Sequence, residues 1–376
     1  MKIISIGSDR KMFQEGSAVL SRAEEYAKRA EEMHVVVFTL KHENCKEFHA
    51  GNLHVYPTNS VTQWLYVRDG TRVARKVAAR LKNSVVISSQ DPFQTGYVGM
   101  LLKKEFKFPL QVQVHTDFLS GHFKGFLNSI RKIIASRVLK YADRVRAVSE
   151  PIKISLLKKY PRLKDTIDIL PIFVDVEAIA NAPVLRDMKK DFPQWKFHIF
   201  MASRLMEEKR FDIALKTLER VVAKYPYVGL VIAGSGKEKG KIEYLAKKMS
   251  LTKHIALIGW QDDLISYYKT CNVFLLTSEF EGYGMTLIEA GAAETMIVTT
   301  KVGIAQTNLF QDEVNCHVCP VGDYTALSDC ILEIVHDNPK RELFAHRMQD
   351  EVKKIAGTKE SYYAGYVTLL EKLLAN

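Results

Sequence analysis

At 376 residues, 47% of them hydrophobic and 26% charged, the chain has the composition of a globular protein with room for two domains of ordinary size, each with its own core. That balance excludes a disordered chain, and no apolar run approaches the roughly 20 residues that a membrane-spanning helix needs. The net charge of +11 lies wholly in the first half: residues 1 to 185 hold 29 Lys and Arg against 18 Asp and Glu, and the remainder holds 25 against 25.

MKIISIG opens the chain as a strand, Ile3 to Ile6, rather than as a signal peptide, because Asp9 and Arg10 follow at once. A cytosolic location is the resulting expectation. Further strands are predicted at His34 to Thr39, Leu53 to Tyr56, Val85 to Ser88, Leu110 to Val114, Val145 to Val148 and Ile167 to Leu170. The helices between them begin near Gly16, Thr62, Gln94, Phe123 and Glu150. From Lys124 to Lys164 basic residues crowd together, among them Arg131, Lys132, Arg137 and Lys140, with only Asp143 and Glu150 opposing. Phe126, Leu127, Ile130, Ile133, Ile134, Val138 and Leu139 recur at helical spacing among them. Residues 123–141 therefore read as a basic amphipathic helix, either a solvated face over a core or a surface drawn to an anionic membrane or an acidic acceptor.

A linker is expected within Asp175 to Pro193, which carries Pro183, Pro193 and several charges. Beyond it, strands are predicted at Phe197 to Ala202, Val228 to Ala233, Ile255 to Ile258, Val273 to Leu276 and Met296 to Thr299. Helices are predicted over Phe211 to Ala223, Lys237 to Met249, Asp263 to Tyr268, Thr286 to Ala293, Ala326 to Val335 and Ser361 to Leu374. Strands alternating with helices are the signature of parallel sheets covered on both faces. The fold class is thus α/β, with two successive doubly wound domains over 1–180 and 181–357 and a terminal helical segment over 358–376. Cys45, Cys271, Cys316, Cys319 and Cys330 are odd in number and mostly scattered, which argues against a disulfide framework. Cys316 and Cys319 form a lone CxxC whose context, NCHVCPVGD, reads as a short strand running into a turn.

The densest chemistry lies in SEFEGYGMTLIEAG. Glu281 and Glu289 flank a turn in which Gly282 and Gly284 end a buried strand, and Met285, Leu287, Ile288 and Ala292 resume at helical spacing. The free N–H groups of that helix's first turn attract an anion such as a phosphate, and carboxylates on either side can accept hydrogen bonds from sugar hydroxyls. In MASRLMEEKRF, Arg204 and Lys209 emerge at a strand's carboxyl end, a fork and an ammonium suited to a diphosphate. Ala233-Gly234-Ser235-Gly236 offers further backbone N–H groups. It is not a dinucleotide fingerprint, because Lys239 stands where a third Gly is needed, nor a P-loop, because Glu238 replaces Ser or Thr. QVQVHTDF sets His115 just past a buried strand, with Asp117 beyond it. The nearest thing to a metal-holding D-x-D is Asp175-Val176-Glu177, at an ordinary helix start.

From Arg204 to Gly303 this set resembles the retaining glycosyltransferases of family 4, with their E-x7-E signature. The resemblance implies a GT-B arrangement of two Rossmann-like domains facing a cleft, with the last helix crossing back to the first domain. It implies transfer of a hexosyl group from a UDP-sugar or GDP-sugar to a glycan or lipid-linked acceptor, without a metal or any cofactor beyond the donor. Residue by residue, it implies Glu281 on the sugar hydroxyls, Glu289 on the ribose, Arg204 and Lys209 on the diphosphate, and His115 near the donor sugar. Gly282, Tyr283, Gly284, Met285 and Thr286 form the donor-binding turn, and Gly16, Gly234, Gly259 and Trp260 stand at further donor-binding positions. The loop Ser8 to Ser17 lacks the paired glycines often found in the family. Two other readings stand beside this one: a nucleotide-sugar epimerase of the same fold, and a non-catalytic binder of anionic polymers. No RNA-binding or helix-turn-helix signature points to nucleic acid. If the basic helix serves a membrane, the chain is peripheral at the inner membrane face.

Overall fold

Runs of β-branched residues with no polar alternation bury both faces of a strand, and the chain folds accordingly into parallel sheets covered by helices. The computed structural model describes residues 1–375 and divides into two units, Met1–Pro171 with the segment from Thr358 onward, and Ile172–Gly357.

The first unit holds strands β1 (Lys2–Gly7), β2 (Glu32–Val37), β3 (Phe48–Ala50), β4 (Leu53–Pro57), β5 (Val85–Ser89), β6 (Leu110–Val114), β7 (Arg144–Ala147) and β8 (Ile167–Ile169). Their order across the sheet is β3-β4-β2-β1-β5-β6-β7-β8, parallel throughout except for β3, which runs antiparallel to β4 at the edge. β3 is three residues long and has no apolar run to announce it. The helix Lys359–Glu371 packs Tyr363, Tyr366 and Leu370 into the same core as Ile3, Val35 and Leu53.

The second unit holds β9 (Phe197–Ala202), β10 (Val228–Ala233), β11 (Ile255–Gly259), β12 (Val273–Leu276), β13 (Ile297–Thr300) and β14 (His317–Cys319), in the order β11-β10-β9-β12-β13-β14, all parallel. The helix Asn338–Ile355 was not expected from the sequence, because its charged residues dilute the apolar period. Its buried residues include Phe344, Met348 and Val352, and the last two reach Gly291 of the helix Met285–Ala292, where an added Cβ would lie 3.0 Å from each.

Two of the boundaries that differ from expectation have a local cause. The unit boundary falls at Pro171, ahead of the linker predicted at 175–193, because that stretch is tied to the second unit: Lys269 Nζ donates to Ala180 O and Ala182 O at 2.8 and 2.6 Å, and Ser266 Oγ accepts from Leu185 N at 2.8 Å. The basic helix covers Phe126–Tyr141 rather than starting at Phe123, because Gly125 precedes it at φ +98, a conformation that glycine tolerates and other residues rarely adopt.

Candidate functional site

In the second sheet the strand order reverses direction between β9 and β12, which pair directly. Open α/β sheets bind ligands outside the carboxyl ends of the strands at such a switch point. Arg204 and Lys209 follow β9, and Glu281 follows β12. Lys209 Nζ donates to Glu281 Oε1 at 2.5 Å, both side chains being about nine-tenths shielded from solvent. Ser278 Oγ donates to the same oxygen at 2.7 Å. Thr277 Oγ1 donates to Lys209 O and Arg210 O at 2.9 and 3.2 Å, and Glu279 N to Glu208 O at 2.8 Å, so backbone bonds hold the two strand ends together. Arg204 is exposed, 3.5 Å from Glu208 Oε1.

Glycines permit this close approach. A Cβ on Gly234, at φ +135, would lie 1.9 Å from Ser203 O, and one on Gly236 would lie 2.3 Å from Leu205 O. The Gly-Ser-Gly turn therefore lies against the backbone on both sides of Arg204, and Leu205 N donates to Ser235 O at 2.9 Å. On the other side, a Cβ on Gly303, at φ +52, would meet Tyr283 O at 2.5 Å and Glu281 Cβ at 2.8 Å. Ile304 N donates to Tyr283 O at 2.8 Å, so the chain after β13 braces the Glu281 turn.

The helix Met285–Ala292 starts from Gly284 at φ +100, and no side chain caps it. Leu287 N donates back to Gly284 O at 3.0 Å, which leaves the N–H groups of Met285 and Thr286 at the helix start for an anion. Glu289 lies about one turn in, and its Oε2 accepts from Tyr268 OH at 3.1 Å. Burial pushes the Glu289 carboxyl up, with the Tyr268 bond opposing. Tyr268 is fully buried, so this carboxylate is fixed from the core side; the sequence carries no local mark of that partner.

Lys209 and Glu281 thus touch, Arg204 stands at the same strand end, and Glu289 occupies the adjoining helix. Thr286 lies in that helix's first turn, and Gly282 in the loop before it. Tyr283 turns its side chain inward, leaving its backbone to the turn, and Met285 is exposed. Gly259 ends β11 at φ +71 and accepts from Gly234 N at 2.6 Å; Trp260 is exposed, with Nε1 donating to Asp262 Oδ1 at 3.0 Å. Cys316 and Cys319 do not face each other: Cys319 Sγ lies 3.7 Å from Cys330 Sγ, while Cys316 Sγ points to Gln311 O.

In the first unit, Gly16 stands at φ +72 before the N-cap Ser17, with open space where a Cβ would be. His115 follows β6, its Nε2 lying 3.1 Å from Gln113 Oε1. Burial, reinforced by Arg146 and Arg22, pushes its pKa down to about 3. Beneath it lies a polar network that sequence reading missed. Arg146 donates to Gln113 Oε1, Leu170 O, Pro171 O and Tyr362 OH at 2.8 to 3.1 Å, and Gln113 Nε2 donates to Ser88 Oγ and Tyr366 OH at 3.0 and 3.2 Å.

A family model described as glycosyltransferase family 4 matches residues 17–178, and one described as glycosyl transferases group 1 matches residues 187–351. The chain belongs to glycosyltransferase family 4. An uncharacterized glycosyltransferase of Methanocaldococcus jannaschii is 24% identical over 64% of this chain and 61% of its own length. The lipopolysaccharide core biosynthesis glycosyltransferase LpsE of Rhizobium meliloti is 30% identical over 42% of this chain and 45% of its own. The chain therefore spans less than two thirds of these two relatives. The capsular polysaccharide biosynthesis glycosyltransferase CapM of Staphylococcus aureus is 23% identical over 71% and 72%. Among solved structures, Anabaena HepE in complex with UDP and glucose superposes with a TM-score of 0.80 at 16% identity, over 99% of this chain and 100% of that one. The sucrose-phosphate synthase of Thermosynechococcus elongatus does so with 0.80 at 20% identity over all of both chains. These likenesses establish the GT-B fold.

Proposed function

We propose that this member of the family is a retaining glycosyltransferase that moves a sugar from a nucleoside-diphosphate donor to an acceptor hydroxyl on a glycan or lipid-linked glycan. The observation that carries the reading is the Lys209–Glu281 pair at the β9/β12 switch point, beside the uncapped helix start at Gly284. A diphosphate entering there competes with Glu281 for Lys209. The Arg204 guanidinium and the amides of Gly284 and Met285 then share the negative charge that grows as the sugar–phosphate bond breaks. Glu281, released from the ion pair, accepts from sugar hydroxyls, and Glu289 accepts from the ribose. These groups supply the positive charge without a divalent ion, so turnover is expected to survive EDTA. Attack from the face that the diphosphate leaves gives retention, with no covalent nucleophile. His115, neutral, orients a hydroxyl through whichever ring nitrogen its tautomer leaves free.

UDP and UDP-glucose accompany HepE in its solved structures, so UDP-sugars head the test. A panel of UDP-, GDP-, ADP- and dTDP-sugars is screened by thermal shift, since a ligand that binds only the folded chain raises Tm. One donor class is expected to raise Tm, to release nucleoside diphosphate only with acceptor, and to give a product with the donor's anomeric configuration. Silence across the panel sinks the reading, and donor consumption without acceptor turns it toward an epimerase.

No helix among the described residues is long and apolar enough to cross a membrane, but Phe126–Tyr141 can lie on one. Ala135, Val138 and Leu139 are buried, whereas Phe126, Leu127, Ile130 and Ile133 are exposed. Phe126, Ile130, Ile133, Arg137 and Lys140 follow one another at steps of four and three, a single outward stripe that is apolar and then basic. That is the pattern of a helix lying in an anionic interface. Native protein is expected to cosediment with phosphatidylglycerol vesicles and an Ile130→Ser, Ile133→Ser variant to stay in solution; equal behaviour of the two removes the membrane from the proposal.

A further inference from the structure

At the outer edge of the first sheet, three histidines are direct register partners on three neighbouring strands. His34 of β2 pairs with His54 of β4, and His54 pairs with His49 of β3. Side chains alternate along a strand, so these three stand on the face opposite Met33, Val35, Leu53 and Val55, which fill the core. The His34 and His54 rings stack with centroids 4.7 Å apart, and His49 Nδ1 lies 2.7 Å from His54 Nδ1. Glu32, two residues before His34 and on its face, brings Oε2 to 2.9 Å from His34 Nε2. One donor atom from each of Glu32, His34 and His54 lies within 4.8 Å of the other two.

We propose that Glu32, His34 and His54 form a binding site for a divalent cation of the zinc type, separate from the strand-end site of the second unit. Two imidazoles and a carboxylate suit Zn(II) and, as probes, Co(II) and Ni(II). Bonds of about 2.0–2.2 Å place tetrahedral donors roughly 3.3 Å apart; the Glu32–His34 pair is close to that spacing, and His54 closes on it by turning its ring. His34 Nε2 faces a carboxylate, which cannot donate, so without the ion this nitrogen carries the proton and Nδ1 accepts from Tyr56 OH at 3.2 Å. On binding, the ring's single proton shifts by way of solvent from Nε2 to Nδ1, the ion takes its place at Nε2, and Nδ1–H is donated to the Tyr56 hydroxyl oxygen. This is the outer contact that metal-bound histidines keep. His49, against His54, serves as its outer partner, with Glu47 3.6 Å from His49 Nε2. An ion here clasps β2 to β4, beside the three-residue edge strand β3.

The test uses the full chain without a histidine tag, stripped with EDTA and dialysed against Zn(II) or Co(II). Expected are one retained ion per chain by elemental analysis, a visible d–d band with Co(II), and a Tm raised by several degrees. Glu32→Gln, which is partly exposed and empties no core, and His54→Gln are each expected to weaken retention at least about tenfold. Neither is expected to change circular dichroism or the affinity for the donor sugar. No retained ion, or retention unchanged in both variants, overturns the proposal; the second result sends the ion elsewhere, with Asp312, Glu313 and His317 of the second unit next to be examined. Donor binding takes no part in this experiment, so its outcome is independent of the transferase reading.

Discussion

The second unit presents a lysine and a glutamate in direct contact at the ends of β9 and β12, whereas the first unit presents at the end of β6 a neutral histidine over a buried polar network. The first arrangement is charged, flanked by the exposed Arg204 and set by glycine turns; the second is neutral and held by partners from strands β5, β6 and β7 and from the helix Lys359–Glu371. Under the function proposed above, the charged arrangement neutralises a leaving group and the neutral one orients a hydroxyl.

If that division holds, the largest loss comes from the charged pair. Lys209→Ala is expected to lower kcat/KM by about 10²–10³, the cost of removing one donor from a developing negative charge. Glu281→Gln should lose a similar factor while keeping affinity for the free nucleoside diphosphate. A Lys209→Ala loss below about tenfold in steady-state kinetics would erase the contrast.

Next in size is the glycine scaffold. Gly303→Ala must push a methyl group into Tyr283 O and Glu281 Cβ, and a displacement of about 1 Å in a positioned group can cost roughly 10²-fold. Gly16→Ala in the first unit meets only open space, so it bears the positive-φ strain alone, about 1 kcal/mol of stability. Kinetics and melting curves of the two variants, side by side, test whether glycine shapes the charged site more than the first unit's opening loop.

The same contrast explains what could be read from the chain. Glu281, Gly284 and Glu289 are neighbours in sequence, as are Arg204 and Lys209, so motif spacing placed Arg204, Lys209 and Glu281 after strands and Glu289 in the helix that starts at Gly284. The support of those residues was less visible: Tyr268 beneath Glu289 and Gly303 behind Glu281 act across the fold, although Gly303 lay at the edge of the recognisable stretch. The network under His115 was invisible because Ser88, Gln113, Arg146, Tyr362 and Tyr366 meet only once the sheet and the last helix have formed. The helix Asn338–Ile355 and the strand Phe48–Ala50 escaped for a related reason, being defined by what they pack or pair against more than by their own periodicity.

That hidden network gives the third test. Tyr366→Phe removes a hydroxyl shared by Ser88 and Gln113 in the buried core, which is expected to cost about 1–3 kcal/mol. At roughly 2–4 °C per kcal/mol for a unit of this size, Tm should fall by several degrees. Donor affinity in the second unit should not change, and a matching loss of donor affinity would show that the two regions are not separable.

The smallest effect is the one that titrates. Burial, with Arg146 and Arg22 adding to it, holds His115 at a pKa of about 3 against 6.5 for the unperturbed ring, so the folded chain keeps it neutral while the unfolded chain protonates it. The stability that this histidine contributes is therefore complete above about pH 6.5 and is lost as pH falls toward 3, at up to about 1.4 kcal/mol per pH unit. His317 in the second unit has the opposite sign. Burial lowers its pKa, but the neighbouring Cys330 sulfur and the carboxylates of Glu313 and Glu333 outweigh burial and raise it. Its contribution is thus present in acid and lost as pH rises through its folded pKa. Acidification should then weaken the first unit's histidine contribution and preserve the second's. Melting curves of native protein and His115→Gln, taken stepwise from about pH 7 to 5, should show the variant's deficit shrinking as the buffer becomes more acidic. A deficit that stays constant would mean that the His115 ring is as easily protonated in the folded chain as in the unfolded one, and that water reaches the end of β6 as freely as it reaches Arg204.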